Sequence, residues 1–126
     1  MNCKPLSQKK YIQELQSIVP NGIEENVDLS KISRWKIGGI ADCIVRPSAT
    51  EEVASVIKYL SKNDLPYVVI GSTSNLLFSD ERLRAACIQI GNRMSDCKIT
   101  ENKVWSQAGA WVPGFARNVA GAGLSG

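Results

Sequence analysis

Apolar positions recur with a helical period over residues 7–19, where Ile12, Leu15 and Val19 fall at i, i+3 and i+7 with Tyr11 and Ile18 flanking the stripe. The spacing predicts an amphipathic helix. Pro20-Asn21-Gly22 stops it, since proline resists continuing a helix and Asn-Gly favours a turn. Residues 23–33 follow without a firm period and read as extended chain or loop, with Gly38-Gly39 as punctuation. Ala41-Asp42-Cys43-Ile44-Val45-Arg46 then reads as a strand ended by Pro47. Ser48 and Glu51 have capping-box spacing, Glu51-Glu52 suit the positive end of a helix dipole, and Val53, Val56, Ile57 and Leu60 form one helical face over residues 50–62. Leu65-Pro66 leads into Tyr67-Val68-Val69-Ile70, an apolar run that predicts a strand buried on both faces.

Strand, helix and strand predict a parallel βαβ unit in which residues 41–46 and 67–70 pair. Further on, Ala86-Cys87-Ile88-Gln89-Ile90 reads as another strand. Cys97-Lys98-Ile99-Thr100 and Val104-Trp105-Ser106-Gln107 flank Glu101-Asn102-Lys103 as a β-hairpin. Val112, Phe115, Ala116 and Val119 share a face of a last helix, with Pro113 in its first turn and Gly121 and Gly123 at its end. The fold class is α+β: a parallel βαβ start, a β-hairpin and a C-terminal helix.

A chain of 126 residues makes one domain of ordinary globular composition. No apolar run reaches the roughly 20 residues that span a bilayer, and the polar start lacks a secretory core, so a cytoplasmic location and no membrane partner are expected. There is no histidine, which removes a His-based triad and the common His-ligated zinc sites. The cysteines Cys3, Cys43, Cys87 and Cys97 show no metal-ligand spacing, and the last three lie in apolar stretches as small core hydrophobes, so no metal is expected. Net charge is +3 with the basic residues scattered, which gives no nucleic-acid footprint. Asp42 reads as a backbone anchor beside the Gly-Gly turn, Asp80, Glu81, Arg82 and Arg84 as a solvated loop, and Trp35, Trp105 and Trp111 as core or groove fillers.

Candidate chemistry concentrates in Gly71-Ser72-Thr73-Ser74-Asn75, which leaves the apolar strand at its carboxyl end, where open α/β sheets bind ligands. Small residues and successive N–H groups there can cradle an anion such as a pyrophosphate, although such clusters also serve as plain turns. The segment is neither a Walker loop nor a Gly-x-Gly-x-x-Gly fingerprint.

Several segments in fixed order carry a resemblance. Trp35-Lys36-Ile37-Gly38-Gly39-Ile40-Ala41-Asp42 comes first, then Val45-Arg46-Pro47, Glu51-Glu52-Val53, and Pro66 before Val69-Ile70-Gly71-x-x-Ser74-Asn75-Leu76-Leu77. Ala108-Gly109-Ala110 and Gly121-Ala122-Gly123-Leu124-Ser125-Gly126 follow. The set resembles the FAD-binding domain of UDP-N-acetylenolpyruvoylglucosamine reductases, members of the vanillyl-alcohol-oxidase-type flavoproteins.

The resemblance implies an N-terminal helix and lead-in over residues 1–30 and the first lobe of a FAD-binding domain over 31–126. It also implies an enzyme of peptidoglycan precursor synthesis in which NADPH reduces FAD and the flavin reduces a UDP-sugar. Ile70, Gly71, Ser72, Thr73, Ser74, Asn75 and Leu76 would hold the pyrophosphate and ribityl end. Ala108, Gly109, Ala110 and Gly123 would line the cofactor, with tight packing as the competing explanation for the Ala-Gly-Ala stretch. The family usually has glycine at one or both of the positions held here by Ser72 and Thr73, which implies a narrower loop and weaker FAD binding. Its catalytic residues, substrate domain and second flavin-holding loop lie in a further portion, so no residue here is assigned catalysis, and NADPH and UDP-sugar are expected as partners only of a full-length protein. Uncovered apolar surface and self-association are expected of this portion alone. A non-catalytic half-domain that binds a nucleotide or partner, or part of another flavin oxidase, is the alternative.

Overall fold

In the computed structural model, which describes residues 8–73 and 76–125, the stripe of Tyr11, Ile12 and Leu15 turns inward on helix α1 (Gln8–Ile18). The segment read as extended or loop is strand β1 (Ile23–Asp28) followed by a one-turn helix α2 (Leu29–Ile32). Asp28 caps α2, its Oδ1 accepting from the Ser30 N–H at 3.0 Å and the Ser30 hydroxyl at 2.6 Å. Strand β2 (Ile40–Val45), helix α3 (Thr50–Lys62) and strand β3 (Tyr67–Ile70) follow the predicted pattern. The cap of α3 differs in one detail. The helix starts after Ala49, so Glu52 rather than Glu51 reaches back, accepting from the Ser48 N–H at 2.9 Å and its hydroxyl at 2.7 Å.

The direct pairing of β2 with β3 is corrected. Strand β4 (Leu83–Gln89) lies between them and is parallel to both, giving the order β1-β2-β4-β3 with β1 antiparallel to β2. β2 and β3 therefore share a sheet and a direction but not a ladder. The centre goes to β4 because Ala85, Ala86, Cys87 and Ile88 are all buried, whereas β3 has one neighbour and sits at the edge. Edge position also overturns the expected two-sided burial of β3: Ile70 is buried, but Tyr67, Val68 and Val69 are 38%, 38% and 52% exposed.

The sheet has two apolar faces. Tyr11, Ile12, Leu15 and Val19 meet Val56 and Leu60 of α3 over Cys43, Val45, Ala86 and Ile88. On the other side Leu29, Ala41, Ile44, Ile70 and Cys87 form a smaller cluster. Between Ala41 and Cys43 the register to β4 slips, the extra residue lying between Leu83 and Ala86.

Asp42, read as a backbone anchor, is buried there and holds two arginines. Its Oδ1 lies 2.9 Å from Arg82 and 3.3 Å from Arg84, so neither arginine belongs to a merely solvated loop.

Strands β5 (Cys97–Thr100) and β6 (Lys103–Ser106) form the predicted hairpin as a separate two-stranded sheet, and α4 (Val112–Gly121) follows with Pro113 in its first turn. None of the three tryptophans is core: Trp35, Trp105 and Trp111 are 61%, 52% and 68% exposed. Two of them carry a cation on the ring face, Lys98 at 5.6 Å from the Trp105 centroid and Arg117 at 5.7 Å from that of Trp111. No helix among the described residues is long and apolar enough to cross a membrane.

Candidate functional site

Three parallel strands ending on one side of a sheet bring three loops together. Arg46 follows β2, Gly71 and Ser72 follow β3, and Ile90, Gly91, Asn92 and Arg93 follow β4. These residues line a cleft of about 910 Å3, closed on its far side by the segment running from Ala108 to Pro113 and by Arg34 from the loop after α2. The cleft therefore opens at the carboxyl ends of the strands, the place α/β sheets offer to ligands.

Its electrostatics are positive. Arg34, Arg46 and Arg93 all contribute to the lining. Arg46 has a partial counterion in Glu24 at 3.1 Å, while Arg34 has no carboxylate partner among the described residues. Arg93 Nη1 donates to the Arg46 carbonyl at 2.6 Å, which holds the β2 and β4 loops together.

Of the residues singled out from the sequence, Gly71, Ser72, Ala108, Gly109 and Ala110 line the cleft. Ile70 lies beneath them, buried in the second core cluster. Thr73 is 4% exposed and turned inward, its hydroxyl donating to the Ile32 carbonyl at 3.0 Å, with a backbone φ of +64°. Its side chain is therefore not among the groups that line the cleft. Leu76 is exposed outside the lining, and Gly123, at φ +82°, lies just past α4 and also outside it. Ser74 and Asn75 lie outside the described residues.

Two kinds of glycine can be told apart. A Cβ on Gly109 would stand 1.9 Å from the Gly91 carbonyl oxygen and 2.5 Å from that of Met94, so close backbone approach requires glycine there. Gly71 and Gly91 face open space, with nothing within 4 Å of a Cβ among the described residues, and neither has a positive φ. Nothing among the described residues demands glycine at those two positions. Both border the cleft.

Sequence reading missed Arg34, Arg46, Arg93, Gln89 and Asn92 as lining residues. The available signal was topological: Arg46 and Arg93 stand just after the carboxyl ends of β2 and β4, and only the strand order makes those ends neighbours of Gly71.

Comparison with known proteins identifies the family. The family model described as FAD binding domain matches residues 41–126. The chain is 34% identical over 122 residues to UDP-N-acetylenolpyruvoylglucosamine reductase 1 of Corynebacterium glutamicum, covering 94% of this chain and 36% of that protein. It is 36% identical over 103 residues to the UDP-N-acetylenolpyruvoylglucosamine reductase of Desulforamulus reducens, covering 82% of this chain and 34% of that one. The chain thus spans about a third of the length of these relatives.

Among solved structures, an alkyldihydroxyacetonephosphate synthase superposes with TM-score 0.70 at 19% identity, over 98% of this chain and 26% of the other. A p-cresol methylhydroxylase does so with TM-score 0.63 at 10% identity, over 91% and 25%. The chain belongs to the FAD-binding domain family, with FAD as its cofactor and the fold of the vanillyl-alcohol-oxidase-type flavoproteins.

Proposed function

We propose that this chain is the FAD-binding portion of an NADPH-dependent reductase acting on UDP-N-acetylenolpyruvoylglucosamine, and that it holds the cofactor's diphosphate in the arginine-lined cleft. The observation that carries the reading is the convergence of Gly71 and Gly91, each open to space among the described residues, with Arg46 and Arg93 at three parallel strand ends and with Arg34 from the loop after α2. A cleft of about 910 Å3 falls in the size range of cofactor sites. Its cations suit a diphosphate, which arginine recognises through paired N–H donors.

On this reading Gly71 and Ser72 hold the pyrophosphate and ribityl end, and Ile70 supports the loop from the core. Ala108, Gly109 and Ala110 form the opposite wall. When bound, the flavin supplies acceptance of hydride from NADPH and its delivery to the enolpyruvyl double bond, giving UDP-N-acetylmuramate. The residues of this chain bind and orient the cofactor, and NADPH and the UDP-sugar are met in the full-length protein. A cytoplasmic location belongs to the same reading.

Flavin fluorescence titration tests it. Binding with Kd on the order of micromolar or weaker is expected, about −8 kcal/mol at best. Substituting Arg34 by alanine should weaken it, and raising salt should weaken it further. Absence of FAD binding up to millimolar concentration, or an affinity indifferent to Arg34 and to salt, would overturn the proposal. The 126 residues alone should not oxidise NADPH with the UDP-enolpyruvyl sugar, and turnover would place catalytic groups within them.

A further inference from the structure

Polar side chains from three strand regions of the main sheet and a backbone carbonyl past the fourth strand join a single line of contacts. Glu24 of β1 pairs with Arg46, which follows β2, at 3.1 Å. Arg46 Nε donates to Gln89 Oε1 of β4 at 3.0 Å. Gln89 Nε2 donates in turn to the carbonyl oxygen of Gly71, the first residue past β3, at 3.1 Å. The line follows the spatial order of the strands, β1-β2-β4-β3, and its members Arg46, Gln89 and Gly71 line the cleft.

We propose that Gln89 is a positioning residue for the diphosphate loop: it fixes the Gly71–Ser72 peptide plane by holding the Gly71 carbonyl, and is itself held by Arg46. The inference rests on the reading that the cleft takes the FAD diphosphate.

A trans peptide is planar, so its carbonyl and the following N–H point in opposite directions. Anchoring the Gly71 oxygen on Gln89 therefore sets the direction of the Ser72 N–H. Gly71 has no side chain to restrict it and, among the described residues, no neighbour within 4 Å of a Cβ, so its own sterics leave this peptide free to rotate. An amide side chain suits the position because it accepts and donates at once, taking the Arg46 proton on Oε1 and giving its own to Gly71. A carboxylate would keep the first contact and repel the carbonyl. An apolar side chain would lose both. On the proposed placement the Ser72 N–H serves the phosphate, and a rotated peptide would put a carbonyl oxygen in its stead, opposite in sign to what the anion needs.

The test uses the 126-residue chain with Gln89→Met, which is neutral and similar in length, and Gln89→Glu, which keeps only the acceptor. FAD affinity is read by fluorescence titration. Affinity for inorganic pyrophosphate is read from the Ser72 amide resonance in 15N-edited NMR spectra, and fold by thermal midpoint. Both variants are expected to keep the parent's midpoint within a few degrees. Both should lose about tenfold in affinity for FAD and for pyrophosphate alike, the scale of one well-made hydrogen bond.

Parent-like affinity in either variant overturns the role of Gln89, because Gln89→Glu retains the Arg46 contact and Gln89→Met removes both. A loss for FAD without a matching loss for pyrophosphate also overturns it, since Gln89 would then act on another part of the cofactor. If the parent chain itself binds neither ligand, the placement of the diphosphate fails, and this inference with it.

Discussion

The carboxylate of Asp42, 6% exposed, lies 2.9 Å from the Arg82 guanidinium and so ties β2 to the residue that leads into β4. Arg82 also donates to Asn26 Oδ1 at 2.6 Å, which brings β1 into the same knot. Arg84 adds a longer contact at 3.3 Å. Asp42→Ala removes the shared acceptor and should cost about 1.5–3 kcal/mol, the range for hydrogen bonds to charged groups. Arg82→Ala should cost less, because Arg84 still partners the buried carboxylate. Urea denaturation of the two variants checks the ordering, and a larger loss for Arg82→Ala would refute it.

Gly71 and Gly109 should respond differently to the same added methyl. Gly109→Ala collides with the Gly91 carbonyl oxygen at 1.9 Å, so the fold must shift, at a cost of about 1–3 kcal/mol. Gly71→Ala meets nothing within 4 Å and should leave stability unchanged while lowering FAD affinity. Thermal melts and flavin titrations on both variants separate the two. An unaffected FAD affinity in Gly71→Ala would remove that residue from the site.

Local patterning made α1, α3, β3 and the hairpin legible, because the period of Ile12-Leu15-Val19 and the alternation around Ile99 and Val104 are properties of neighbouring residues. Strand order was not legible. Whether β2 meets β3 or β4 depends on which strand buries more apolar surface in the centre, and Val68 and Val69 look more apolar than Arg84 or Gln89. Ser72 and Gly109 could be read as site candidates from residue type and loop position. Arg34 and Arg93 could not, since their proximity to Gly71 exists only after the strands are arranged. Thr73 is instructive in the other direction. Its β-branched side chain suggested a narrowed loop, yet the backbone takes φ +64° and the hydroxyl finds the Ile32 carbonyl, outside the cleft lining.

Burial pushes two thiols up from an ordinary value of 9.0, Cys43 to about 12 and Cys87 to about 11. Above pH 9 the unfolded chain ionises these thiols while the native chain keeps them neutral. Their contribution to stability is therefore full below pH 9 and is lost as pH rises through the folded values. The urea midpoint should fall between about pH 8 and about pH 10.5, and fall less steeply in Cys87→Ala. Equal slopes in parent and variant would contradict the assignment. The same burial should leave Cys43 and Cys87 inert to a thiol reagent at about pH 8 under native conditions.

Self-association is expected through β3. Its outer edge has no strand partner among the described residues, and Val69 is 52% exposed. An apolar edge with no charged residue in Tyr67-Val68-Val69-Ile70 offers an open ladder to a second chain. Light scattering across concentration should show growth in mass, and Val69→Lys should suppress it. A monomer at every concentration would count against this.

During synthesis β3 leaves the ribosome before the strand it pairs with exists. The β1–β2 hairpin can close early, but β3 has no ladder until Leu83–Gln89 emerges and enters between two strands already made. Such late, non-local insertion is slow and leaves apolar strand surface open to chaperones or to neighbouring chains. A nascent chain halted before Leu83 should be cut readily by protease around Tyr67, whereas the finished chain should resist cleavage there.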